Sequence, residues 1–148
     1  MTKIFCDIAD TKLIKKFNRK KIVKGFTTNP TLLHKANLQT KQYKDFALFC
    51  LTKTRGLPVS FEVFADEFEE MERQAREIAK WGSNVYVKIP VTNTKKISCA
   101  PLIKKLSAEG VQLNITAILS LEQVSEVADA LKNGSSSFVS VFAGRIAD

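Results

Sequence analysis

A lysine stands inside one of the most apolar segments of the chain. Residues 85–92 read VYVKIPVT, and the residues around Lys88 are the β-branched and aromatic types that fill buried strands. An ammonium group in such a strand either reaches water at a sheet edge or has a chemical use in the interior. Burial favours the uncharged form of an amine, which is a nucleophile toward carbonyl carbons. The segment by itself favours an outward lysine on an edge strand, and the rest of the chain decides whether Lys88 is instead a buried, reactive amine.

Two carboxylates and a hydroxyl in strand-like segments are candidates for proton transfer. Glu62 stands between a phenylalanine and a valine in a strand-like segment, where packing alone does not explain an acid. Asp7 is either a catalytic group or a hydrogen-bonded buried carboxylate. Thr116 is either a catalytic hydroxyl or an ordinary strand residue. The residue types leave both interpretations of Asp7 and Thr116 open.

Strand-like and helix-like segments alternate along the chain. Runs rich in β-branched and aromatic residues predict six strands, at 3–9, 23–30, 58–64, 84–91, 111–119 and 136–144. Apolar residues at helical spacing predict helices between them, at 11–18, 32–35, 43–51, 66–80, 101–108 and 120–133. Capping boxes are predicted at Asp66 with Glu69 and at Ser120 with Gln123. The last helix has an apolar stripe that we expect to be buried, formed by Leu121, Val124, Val127, Ala128 and Leu131.

Alternating strands and helices predict a parallel sheet that is either doubly wound or closed into a barrel. The glycine-rich phosphate loops GxGxxG and GxxxxGK[ST], typical of doubly wound nucleotide-binding folds, are absent from the sequence. Polar residues instead fall at or near the ends of different strands, where a barrel gathers its active site. These residues are Asp7, Thr28, Asn29, Glu62, Lys88, Asn114, Thr116 and Arg145. The pattern favours a (β/α)₈ barrel, of which about six βα units are present.

Composition places the chain among ordinary globular domains. It has 148 residues, of which 45% are hydrophobic and 26% charged, as expected for one domain with a substantial core. No apolar run is long enough to span a membrane, and the N-terminal residues lack the pattern of a signal peptide. We therefore expect a cytoplasmic protein that does not bind membranes.

The cysteines and the net charge indicate neither a metal site nor a nucleic-acid partner. The three cysteines are widely separated and lack CxxC spacing, so we expect neither a disulfide framework nor a bound metal. The net charge of +8 comes largely from a basic cluster between Lys12 and Lys24. No aromatic stacking platform or recognition-helix motif accompanies this cluster, so a solvated lysine-rich face is the preferred interpretation.

Five ordered segments resemble one enzyme family. They are GFTTNPTLL, PVSFEV, VYVKIP, LNITAI and SVFAGR, and together they extend over most of the chain. In this order they resemble the small transaldolases, class I Schiff-base enzymes on a (β/α)₈ barrel that need no cofactor. The resemblance implies that Lys88 forms an imine with a ketose phosphate.

The resemblance also implies roles for the other polar residues. Asp7 would take the proton of the C4 hydroxyl during cleavage of the C3–C4 bond, while Glu62 and Thr116 would hold the water that relays protons. The sugar phosphate would be bound by Thr28, Asn29, Asn114, Ser140, Phe142 and Arg145, with the Arg145 guanidinium on the phosphate.

The family resemblance covers two enzyme activities. In its aldolase branch, glutamine is typical at the position of Glu62 and tyrosine at that of Phe142, so this sequence carries the transaldolase pair. The expected reaction is transfer of a dihydroxyacetone unit between sugar phosphates, as in the non-oxidative pentose phosphate pathway. The alternatives are a fructose-6-phosphate-type aldolase and an inactive truncated barrel that binds sugar phosphates or a partner chain.

The sequence ends shortly after the sixth predicted strand. We expect one barrel domain over residues 1–148, truncated after the sixth strand and without the serine and arginine that the seventh strand supplies in the family. Two unpaired sheet edges would favour association, so a homo-oligomer is expected.

Overall fold

In the computed structural model, which describes residues 2–146, six strands alternate with helices. The strands are β1 (Ile4–Asp7), β2 (Val23–Thr27), β3 (Val59–Glu62), β4 (Val85–Pro90), β5 (Leu113–Ile118) and β6 (Phe138–Val141). The helices are α1 (Thr11–Phe17), α2 (Pro30–Lys35), α3 (Tyr43–Lys53), α4 (Phe68–Ala79), α5 (Ala100–Ala108), α6 (Leu121–Leu131) and α7 (Ala143–Ile146). A 3₁₀ turn, Thr40–Gln42, precedes α3. The predicted alternation is confirmed.

The six strands form one curled parallel sheet. They pair in chain order, from β1 to β6, without the reversal of strand order found in doubly wound folds. The Phe5 ring of β1 lies 5.2 Å, centroid to centroid, from the Phe138 ring of β6, so the sheet curls until side chains of its first and last strands meet. Phe138 also contacts Tyr86 of β4, at 4.5 Å between ring centroids. This curvature confirms the barrel-type fold with about six βα units.

Alternation along each strand separates two environments. In β4, Val87 and Ile89 are fully buried in the apolar core beneath the helices, together with Met71 of α4. Tyr86 and Lys88 point to the opposite face, the concave interior of the sheet. The curled sheet therefore carries a continuous apolar core on its outside and a mixed aromatic and polar interior.

Helix capping was predicted correctly at α6 and incorrectly at α4. Ser120 and Gln123 form the reciprocal hydrogen bonds of a capping box. The capping box predicted at Asp66 is wrong, because α4 begins after Glu67 and no side chain caps it. The Asp66 carboxylate instead accepts hydrogen bonds from the backbone N–H and the hydroxyl of Thr94, at 2.7 and 2.6 Å. Asp66 therefore binds a residue distant in sequence, on the loop after β4, and does not cap α4.

Two further differences concern β6 and α6. The sixth strand is shorter than predicted, since the chain leaves it after Val141 and residues 143–146 form α7. The predicted buried stripe of α6 is wrong in part, because Val127 is fully buried whereas Leu121 is 83% exposed and Ala128 is also exposed. Helical spacing identifies an apolar face, but only neighbouring elements determine whether that face is covered. None of the described helices is long and apolar enough to cross a bilayer.

Gly25 generates a prediction about the sheet interior. A Cβ atom added at Gly25 would lie 2.1 Å from a ring carbon of Phe5, so Gly25→Ala must displace that ring from its contact with Phe138. We expect a loss of about 1–3 kcal/mol in the free energy of unfolding, as for other overpacked sites, measured by urea denaturation.

A matched control is available at Gly144, where an added Cβ meets no atom within 4 Å. Gly144→Ala should leave stability within about 0.5 kcal/mol of the starting protein. Phe5→Ala should relieve most of the penalty of Gly25→Ala in the double variant. A Gly25→Ala protein as stable as the Gly144→Ala control would contradict the packing argument.

Candidate active site

Lys88 lies in the sheet interior with only 7% of its surface exposed. Its ammonium nitrogen is 3.3 Å from Oε2 of Glu62 and donates a hydrogen bond of 3.2 Å to the backbone carbonyl of Thr28. Strand register explains the pairing, because Glu62 of β3 is the direct cross-strand neighbour of Lys88 on β4. Asn114 of β5 is its neighbour on the other side. The structure thus brings the predicted lysine, acid and amide into one row.

The environment of Glu62 shifts its acidity in opposing directions. Burial raises the pKa of Glu62 above its usual value, and the positive charge and hydrogen bond of Lys88 lower it in part. The negative charge of Asp7 adds a further, smaller rise in the pKa of Glu62. The net pKa shift is upward, so Glu62 can take up and release a proton closer to neutral pH than an exposed glutamate.

Asp7 is fixed by two donors from the end of β2 and the following turn. One carboxylate oxygen accepts a 2.7 Å hydrogen bond from the Thr27 hydroxyl, and the other accepts a 3.1 Å bond from the Asn29 amide. Asn29 is also the N-cap of α2, where its amide oxygen accepts from the backbone N–H of Leu32. The predicted Asp7 and Asn29 therefore lie together, and Asn29 both caps a helix and orients an acid.

The two adjacent threonines of TTNP face opposite sides. The Thr28 hydroxyl is fully buried and donates to the backbone carbonyl of Ser60, so only the main chain of Thr28 contacts Lys88. Thr27, which is not among the predicted site residues, is the residue whose hydroxyl donates to Asp7. The missed signal is the period of two in β2, since Thr28 follows the buried Phe26 on the core side.

Three more predicted residues lie on β5 and β6. The Thr116 hydroxyl is buried and has no hydrogen-bond partner among the described residues. The Asn114 amide nitrogen donates to Ser60 Oγ at 2.9 Å, and the Ser140 hydroxyl donates to the Asn114 amide oxygen at 2.6 Å. Asn114 and Ser140 are thus brought together, through a direct contact between β5 and β6. Ser60, like Thr27, is not among the predicted site residues.

Phe142 and Arg145 lie beyond the end of β6 and are exposed. The Phe142 backbone N–H donates to the Ile118 carbonyl, and the Arg145 backbone N–H donates to the Phe142 carbonyl, each at 2.9 Å. Within residues 2–146, no hydrogen bond or ion pair joins the Arg145 guanidinium to the residues around Lys88. The same part of the chain holds no group of three histidine, cysteine or acidic side chains arranged to bind a metal ion.

Comparison with known proteins assigns the family. Residues 4–148 match the family described as transaldolase/fructose-6-phosphate aldolase. The chain belongs to this family. Proteins named "Probable transaldolase" from Dehalococcoides mccartyi and Streptococcus agalactiae are 42% and 38% identical to it over 147 and 146 residues. In both comparisons 99% of this chain is aligned, but it spans only 63% and 62% of the length of these relatives.

Asp7 and Lys88 act on the pKa of Glu62 in opposite directions, so removing either charge should shift that pKa, with opposite signs. Removing the Asp7 charge with Asp7→Asn should lower the pKa of Glu62, and removing the Lys88 charge with Lys88→Met should raise it further. Carboxyl carbon NMR of ¹³C-labelled glutamate, assigned with Glu62→Gln, measures both shifts. Because the folded-state pKa of Glu62 lies above the usual value of 4.5, folding favours the protonated acid. This contribution to stability is lost as the pH rises from 4.5 through the folded-state pKa.

The control carboxylate is the partly exposed Glu70 on α4, whose pKa is lowered to about 2 by hydrogen bonds from Arg73 and Gln74. Its titration should not respond to Asp7→Asn or Lys88→Met. A Glu62 carboxyl that titrates at or below its usual value, or that is insensitive to both substitutions, would show that the interior is better solvated than this geometry implies.

Proposed function

We propose that the protein is a transaldolase that transfers a dihydroxyacetone unit between sugar phosphates through an imine at Lys88, as a step of the non-oxidative pentose phosphate pathway. The observation that carries the proposal is the buried amine of Lys88 beside Glu62 in the interior of a barrel-type sheet. Family membership supports it, since the matching relatives are named probable transaldolases. Both enzyme alternatives within the family share the imine, and the Glu62 carboxylate favours transfer.

The reaction begins with attack of the uncharged Lys88 amine on the ketose carbonyl. Addition gives a carbinolamine, which loses its hydroxyl as water to leave a protonated imine. Glu62 is placed to manage this step, because its carboxyl lies 3.3 Å from the amine and its raised pKa suits both uptake and release of a proton. A water held between Glu62 and the buried Thr116 hydroxyl would relay these protons.

Carbon–carbon cleavage follows from the positive charge of the imine. Asp7 takes the proton of the C4 hydroxyl, the C3–C4 bond breaks, and its electron pair moves into the protonated imine to form an enamine. The aldehyde fragment leaves, an acceptor aldehyde adds to the enamine, and Asp7 returns a proton to the new alkoxide. Hydrolysis of the imine then releases the product and restores Lys88.

Substrate selection requires polar contacts around the three-carbon unit and a cation for the phosphate. The Asn114 amide lies next to Lys88 in the sheet interior and accepts a hydrogen bond from the Ser140 hydroxyl; both groups suit the hydroxyls of the dihydroxyacetone unit. We assign Arg145 to the substrate phosphate, because its guanidinium is exposed and offers bidentate donors. The roles of Asn29 and Phe142 in substrate binding stay predictions. A cytoplasmic location and a homo-oligomeric state also stay predictions.

Imine trapping tests the proposal directly. Incubation of the 148-residue protein with fructose 6-phosphate and borohydride, without an acceptor aldehyde, should add one reduced adduct per chain, located on Lys88 by peptide mapping. Because cleavage releases the phosphate-bearing aldehyde, this adduct should be the three-carbon dihydroxyacetone unit. Lys88→Ala and Lys88→Arg should abolish labelling and turnover, because neither supplies a nucleophilic amine. Lys95→Ala, which removes an exposed lysine paired with Glu67, is the matched control and should be labelled normally.

Labelling on another lysine, or turnover that survives Lys88→Ala, would contradict the mechanism. The donor that the protein accepts distinguishes an aldolase from a transaldolase. Efficient aldol addition of free dihydroxyacetone, without transfer from a sugar-phosphate donor, would favour an aldolase over a transaldolase.

Asp7→Asn should separate imine formation from cleavage. The assigned role of Asp7 lies in C3–C4 cleavage, so borohydride trapping should persist while cleavage falls by roughly two to four orders of magnitude, the usual value of a positioned acid–base group. Single-turnover release of the aldehyde measures cleavage, and intact mass measures trapping. Asp129→Asn, on the exposed face of α6, is the control. Equal losses of trapping and cleavage in Asp7→Asn would show that Asp7 does not have this role.

A further inference from the structure

Three polar side chains form a hydrogen-bonded chain across the interior of the sheet. It runs from Ser60 on β3 through Asn114 on β5 to Ser140 on β6, with hydrogen bonds of 2.9 and 2.6 Å. The three hydrogen-bonded side chains lie across β4, the strand that carries Lys88. We infer that Ser60 is a positioning residue that, through Asn114, fixes the Ser140 hydroxyl beside a ketose bound at Lys88. This inference rests on the proposed function and assigns a role to a residue with none so far.

Strand register places Ser60 one layer deeper than the reacting groups. Glu62, Lys88 and Asn114 are direct neighbours across β3, β4 and β5. Ser60 precedes Glu62 by two residues, shares its face, and is the register partner of Tyr86. The Asn114 side chain must therefore reach down into the sheet interior to donate to Ser60. Ser60 acts on the ketose through Asn114, because the layer of Lys88 separates it from the strand ends.

Burial decreases along the three hydrogen-bonded side chains, from Ser60 to Ser140. Ser60 has no exposed surface and Asn114 has 3%, whereas Ser140 is only half-buried. In the described sheet β3 has a strand on each side, while β6 has only β5 beside it. The rigid end is therefore Ser60, and the least constrained end is the hydroxyl that lies toward the substrate. A hydrogen bond from the rigid end limits the positions of both other side chains.

Removal of the Ser60 hydroxyl leaves an Asn114 N–H without its partner in a buried site. Such a group costs free energy until it finds another acceptor, so the amide is expected to rotate away from its present position. Ser140 then loses the oxygen to which its hydroxyl donates. The result is a misplaced pair of polar groups beside Lys88, which slows a reaction that depends on the orientation of the ketose.

The experiment compares two buried serines in the intact 148-residue chain. Ser60→Ala should lower the rate of borohydride-trapped imine formation at saturating fructose 6-phosphate by about ten-fold, the order expected for one lost hydrogen bond. Ser107→Ala is the matched control, since Ser107 is 1% exposed and its hydroxyl has no partner among the described residues. The control should keep the unsubstituted rate. In an Asn114→Ala background, Ser60→Ala should have no further effect.

A second measurement does not depend on turnover. The side-chain NH₂ resonances of Asn114 should shift and exchange faster with solvent in Ser60→Ala, and should be unchanged in Ser107→Ala. Unchanged resonances in Ser60→Ala, or a rate loss that persists in the Asn114→Ala background, would overturn the inference. If the unsubstituted protein forms no imine, the proposed function fails, and the amide resonances alone decide whether Ser60 holds Asn114.

Discussion

The ion pair between Lys88 and Glu62 is the interaction on which the site depends. Both side chains are largely withdrawn from water, with 8% and 16% of their surfaces exposed, and burying either charge alone would be strongly unfavourable. Their mutual attraction and the Thr28 carbonyl offset part of that cost. Such a pair contributes little net stability, but it keeps an amine and an acid at 3.3 Å, as the proposed imine chemistry requires.

The geometry of the sheet makes this pair possible. Parallel pairing in chain order aligns Glu62, Lys88 and Asn114 in one row, and curling turns that row into a concave interior. Beneath the polar row, the rings of Phe5, Tyr86 and Phe138 fill the interior, and Phe5 packs against the bare backbone of Gly25. These half-buried rings displace water from part of the interior below the pair, which strengthens the electrostatic interactions above them.

Polar groups around the pair are connected rather than isolated. Asp7 is held by donors from Thr27 and Asn29, and Asn114 links Ser60 with Ser140. Asp7 is exposed, whereas Ser60 and Asn114 are buried and would be costly to bury alone; each of these side chains is oriented by a partner on another strand or turn. The site is consequently preorganised, because an acid, an amine and an amide are each oriented by hydrogen bonds or an ion pair within the structure.

The sequence by itself determined the alternation of strands and helices, the family and the central residue of the site. These features are local or ordered along the chain: Lys88 within an apolar strand, the capping box at Ser120, and five motifs in a fixed order. The sequence did not determine the hydrogen-bond partners of Asp66 and Asn114, which are Thr94 and Ser60. It also left open which of Thr27 and Thr28 faces Asp7, and it did not indicate that Leu121 is exposed. These outcomes required the tertiary structure, because each depends on register, side-chain direction or coverage by residues far apart in the chain, which local propensity and periodicity do not encode.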